Sequence, residues 1–166
     1  MRESSNSLLA IGSGIRRNTR RSRYCALRGL GAAHQQITLA WWELRHRYEL
    51  LISESVMREC AAGDPIAAQK RLAVLADLPL LLIDELALSI ASELVHNKIV
   101  PAKAAEDALH IAVATVYGVD YLLTWNCRHI ANPEMQREIS GFLEQKGLYL
   151  PFICTPEELL GENNAE

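Results

Sequence analysis

The stretch IVPAKAAEDALHIAVATVYGVDYLLTWNCRHI, residues 99–130, sets an acid near the start of an apolar helix, then a glycine stop, then a short apolar strand ending on polar atoms. That order delivers Asp107 from a helix and Asn126 from a strand end toward one place. A third oxygen-bearing side chain, Glu59, belongs to a separate helix. In open α/β sheets, ligands gather in the crevice beyond the carboxyl ends of the strands, so such side chains there are candidates for a site. Two carboxylates and an amide are hard donors of the kind a divalent cation takes. Each also has a plain reading, since acids on helices usually face water and an asparagine after a strand usually makes a turn.

The elements that must position these groups follow from periodicity and punctuation. Ile37, Leu39, Ala40, Trp41 and Leu44 fall at helical spacing between Ala32 and about His46. Of the adjacent Trp41 and Trp42, at least one belongs in the core. Tyr48 to Ile52 reads as a strand, Ser53 or Ser55 as the cap of the next helix, and Gly63 as its stop. After Asp64 and Pro65 comes a helix over about 66–76, then an apolar run, Leu80 to Ile83, read as a strand buried on both faces. A helix over Glu85–His96 follows. The next one starts at Pro101 or nearer Glu106 and ends before Gly118. Asp120 to Thr124 is a strand, with Asp120 a turn cap. Pro133 opens a helix to about Lys146, and Leu150 to Cys154 is a last strand. Strands separated by helices imply parallel βαβ units and a sheet covered on both sides, which makes the expected fold a three-layer α/β/α sandwich with a mostly parallel sheet.

Composition narrows the class. With 166 residues and 49% apolar content, the chain can bury one sizeable core. No run approaches the length of a membrane span, and the opening residues are too weakly apolar for a secretory signal, so a cytoplasmic protein without membrane partners is expected. Cys25, Cys60, Cys127 and Cys154 are scattered, without the paired spacing of a zinc clip. The net charge of −3 hides an asymmetry: residues 1–42 hold seven arginines and one acid, for +6, and the rest carries −9. An acidic body cannot hold nucleic acid by bulk positive charge, so any action on RNA has to be local. Residues 1–31 read as a basic and mostly irregular segment, with a short strand at Leu8–Ile11; 32–160 are the folded domain and 161–166 a frayed tail.

The segments ISESVMRECAAGD, PAKAAEDALHIAVA and VDYLLTWNCRHI together resemble a PIN domain, in particular the VapC-type toxins of toxin-antitoxin systems, over about residues 32–156. The resemblance implies a Mg²⁺- or Mn²⁺-dependent endoribonuclease whose metal ligands and catalytic residues are Glu59, Asp107 and Asn126. In many PIN domains the position of Asn126 holds Asp. RNA as substrate, a cognate antitoxin protein and homodimerisation are implied with it. Thr124 is read as orienting the cluster through its hydroxyl. His110, three residues after Asp107, either bonds a carboxylate, approaches the substrate or packs as a helix histidine.

The chain departs from the family at its first strand, which normally ends in an acid followed by Thr or Ser. Between Glu3 and Glu43 there is no acid at all. An impaired nuclease is one consequence, and a catalytically inactive PIN-like scaffold for protein interaction is the alternative. The abrupt join at Ala32 also suggests a shifted reading frame or misplaced start, which the nucleotide sequence would reveal.

Overall fold

The computed structural model describes residues 10–11, 15–17, 32–126, 130 and 132–160. Helices and short strands alternate along it, as in an α/β protein. Strands β1 (Ala10–Ile11) and β2 (Ile15–Arg17) precede helix α1 (Ala32–Leu44), and a 3-10 turn at Arg45–Arg47 leads into β3 (Tyr48–Leu50) and β4 (Ile52–Ser53). Helix α2 (Glu54–Ala61) starts where Ser53 accepts the Val56 N–H, and it ends before Gly63, whose φ of +89° is open to glycine. Helix α3 (Pro65–Leu75) has Asp64 as its cap and Pro65 in its first turn, where a missing N–H costs nothing.

The chain continues through β5 (Leu80–Leu81) into α4 (Glu85–His96), whose cap Asp84 accepts the Ala87 N–H at 2.7 Å. A 3-10 turn at Ala102–Ala104 precedes α5 (Ala105–Val116), so both expected starts of that region mark something real: Pro101 precedes the turn, and the α-helix begins beside Glu106. β6 (Tyr121–Thr124), α6 (Pro133–Glu144), β7 (Phe152–Cys154) and α7 (Pro156–Leu160) complete the described chain. Helix α7 has no counterpart among the elements expected from sequence. The candidate strand residues Leu8 and Leu9, most of the basic segment and the tail 161–166 lie outside the described residues.

The strands form three separate sheets, ordered β1-β6-β7, β2-β3 and β4-β5. β4 pairs with β5 in parallel, and β6 pairs with β7 in parallel, as helix-linked strands should. The two pairings that involve the amino-terminal segment, β1 with β6 and β2 with β3, are antiparallel. The Leu80–Ile83 run is shorter and less covered than its composition implies. Only Leu80 and Leu81 are strand; Leu81 is buried, while Leu80 and Leu82 are 46% and 56% exposed. An apolar run tells how greasy a strand is, but alternation then puts half of it on whichever face is left open.

Successive residues of β6 point to opposite sides. Leu122 joins the large core built by α4, α5 and α6, whereas Leu123 packs with Trp41, Trp42 and Leu50. Both tryptophans are core, at 0% and 4% exposure. Residues 108–115 of α5 are all buried, which makes this helix the centre of the molecule; burying Ile111 alone contributes about 1.5–3 kcal/mol. No helix among the described residues is long and apolar enough to cross a membrane.

Candidate metal centre

Two helices meet along a pair of polar rungs. On α2, Ser55 and Glu59 are four residues apart and share a face; on α5, Glu106 and His110 do the same. The Ser55 hydroxyl donates to Glu106 Oε2 at 2.9 Å, and His110 Nε2 lies 3.0 Å from Glu59 Oε1. Both rungs span 51 positions of sequence, so the two helices run in the same direction with their registers locked. Glu59, Glu106 and His110 each offer a ligand atom, and the three atoms lie within 4.8 Å of one another.

A second contact adjoins the first. Asn126, at the carboxyl end of β6, donates through Nδ2 to Asp107 Oδ1 at 2.9 Å. Its backbone N–H donates to Thr124 Oγ1, also at 2.9 Å, and Thr124 is itself buried. The Thr124 hydroxyl therefore holds the Asn126 backbone, and the Asn126 amide holds Asp107. Because Asp107 follows Glu106 in the first turn of α5, both contacts converge on that helix start, where the dipole favours anions.

The sequence-derived residues are thus distributed over two neighbouring groups. Glu59 reaches α5 through His110, and Asp107 is held by Asn126. His110 is both a packed histidine, 1% exposed, and a carboxylate partner. A carboxylate only accepts, so Nε2 carries the proton; the buried Nδ1, which has no hydrogen-bond partner, then presents a bare lone pair rather than a stranded N–H. Local pattern marks Glu106 only as a helix start. Its signal was available in the four-residue step to His110, but its partner Ser55 lies too far away in sequence for local pattern to reveal. Glu3, the one acid ahead of Glu43, lies outside the described residues.

No family model, curated protein or solved structure matches this chain. The chemistry of the site rests on its own donors. The Glu59 and Glu106 carboxylates, whose oxygens lie within 4.8 Å of each other, suit a hard divalent cation; Asp107, held by Asn126, stands at the next position of α5, and His110, whose Nε2–H is directed at Glu59, orients that acid. The donor set therefore fits the group that the sequence resemblance implies. Nearby, the Cys60 thiol, also on α2, is pushed up to about 11, first by burial, with Arg71 opposing and Glu59 adding to the shift. It is a neutral thiol and offers no soft anionic ligand.

Proposed function

We propose that the chain is a Mn²⁺- or Mg²⁺-dependent endoribonuclease of the PIN, VapC-toxin kind, with a three-layer α/β/α sandwich and a mostly parallel sheet. It acts in the cytoplasm on RNA, pairs with an antitoxin protein and forms a homodimer. The observation that carries this reading is the cluster of Glu59 from α2 with Glu106 and His110 from α5, followed on the same helix start by Asp107, which Asn126 from the end of β6 holds. A divalent ion bound there supplies charge neutralisation at the phosphoryl group and an acidified water. The chain's own residues do the positioning: Glu59 and Glu106, with Asp107 beside them in sequence, would hold the ion, Asn126 sets the Asp107 carboxylate, Thr124 sets Asn126, and His110 sets Glu59.

Purified protein incubated with an end-labelled RNA tests it. Cleavage with Mn²⁺ that disappears on chelation and in Asp107→Ala is the expected result. Absence of Mn²⁺-dependent cleavage, or cleavage that survives both treatments, overturns it.

One observation favours a non-catalytic scaffold as the second reading. Each of the three acids already accepts from a protein group, Ser55, His110 or Asn126, so the cluster is internally satisfied without an ion. That reading requires a folded protein whose thermal stability ignores divalent ions.

A further inference from the structure

Beside the carboxylates lies an aromatic pair with a different character. Trp125 sits between Thr124 and Asn126, so its backbone is part of the loop that holds Asp107. Its indole stacks on His34 of α1, with centroids 4.2 Å apart and planes 17° from parallel. The indole N–H donates to Thr38 Oγ1 at 2.9 Å, and the Thr38 hydroxyl donates to the His34 carbonyl at 2.7 Å. The two rings are therefore fixed by a three-residue relay as well as by their own stacking. The pair also reaches solvent: His34 is exposed and Trp125 half-buried. The other two tryptophans differ on both counts, being buried with indole nitrogens that have no partner.

The geometry points to the His34–Trp125 stack as a platform for an unpaired nucleobase of single-stranded RNA, next to the Asp107–Asn126 contact. The choice of ligand rests on the ribonuclease reading; the physical case for stacking does not. The body beyond residue 42 carries −9 and repels phosphates, so a strand held against it gains from contacts that do not depend on charge. Base-on-aromatic stacking is such a contact, and it accepts any base because every base has a π face. Rigid rings lose little freedom when a base adds to the stack, which makes the Thr38 relay useful for binding rather than merely for folding. A duplex hides the faces of its bases, so the platform selects single strands.

The test measures binding without turnover. A fluorescent single-stranded oligoadenylate of about ten nucleotides, a length within the usual footprint of such platforms, is titrated in EDTA and followed by anisotropy. The same strand with abasic positions and a blunt duplex serve as comparisons. Tryptophan emission is recorded in parallel, because Trp125 is the one described tryptophan that reaches solvent. Wild type is expected to bind the single strand with a change in emission, and to bind the abasic strand and the duplex at least about fivefold more weakly; His34→Ala and Trp125→Ala should each lose about tenfold in affinity. If Trp125→Ala unfolds, His34→Ala carries the test, since its side chain lies at the surface. Equal affinity for intact and abasic strands, no binding at all, or an unchanged Kd in a folded His34→Ala protein overturns the platform. Asp107-dependent cleavage with an indifferent stack sinks only this inference, whereas stack-dependent binding without cleavage sinks only the nuclease reading.

Discussion

His110 Nε2 lies 3.0 Å from Glu59 Oε1, and through that contact an acid from α2 is set against the central helix of the molecule. The histidine is the buried partner and the glutamate the wetter one, at 1% and 29% side-chain exposure. Their roles are therefore unequal: the ring fills the core, and the acid borrows its position from the ring.

That inequality predicts the cost of removing each. His110→Ala leaves a hole beneath α2 and strips Glu59 of its donor, and should lower unfolding free energy by about 2–4 kcal/mol in a urea titration. Glu59→Gln keeps a carbonyl oxygen able to accept from Nε2 and should cost clearly less. Equal losses would mean that the ring is not structurally dominant.

Divalent ions should raise the melting temperature. A ligand that binds only the native state, at a hundred times its Kd, adds about 2.7 kcal/mol, which is several degrees for a chain of this size. Mn²⁺ and Mg²⁺ are each expected to give a shift, and Glu106→Gln a reduced response to both. A melting curve that does not move with millimolar Mn²⁺ removes the metal centre and favours the scaffold.

Helix α4 depends on its first residue-pair contact with Asp84. Replacing Asp84 by Ala deletes the 2.7 Å bond from the Ala87 N–H and should cost about 1 kcal/mol, read from the shift in urea midpoint at constant slope. Ser89→Ala, on the exposed side of the same helix, should cost almost nothing.

Thiol chemistry offers a pH-dependent check. Burial raises Cys60 to about 11 and Cys154 to about 12, against an ordinary 9.0. Both should resist alkylation in the native protein near neutral pH and react once it is unfolded, as peptide mapping by mass spectrometry can follow for each site. The folded values lie above the unfolded one, so the unfolded chain ionises first. The stability these thiols contribute is complete below pH 9 and is lost as pH rises from 9 toward 11–12. Cys60→Ala should flatten part of that alkaline decline.

Local signals carried most of the architecture. Ser53, Asp64 with Pro65, Asp84, and Asn132 with Pro133 each sit at a helix start, and Gly63 and Gly118 each follow a helix end with positive φ. These devices act within four residues, so they can be read without a fold. What sequence could not supply is pairing across distance. The rung from Ser55 to Glu106 is invisible until α2 and α5 are docked, so local pattern singles out Glu59 and Asp107 but not Glu106. Likewise, adjacent Trp41 and Trp42 are both buried because α1 presents a face wide enough for two neighbouring directions, a property of what it packs against. The exposed Leu80 and Leu82 are the opposite case, an apolar run with one side left open.

The ladders β4–β5 and β6–β7 are two and three residue pairs long. Strands this short have little cooperativity of their own, so slow amide exchange should concentrate in α5, wrapped by apolar neighbours for eight consecutive residues, while the strand amides trade their protons through small openings that leave the helical centre closed. Rigidity in this protein is then a helical property, and the first turn of α5 inherits it.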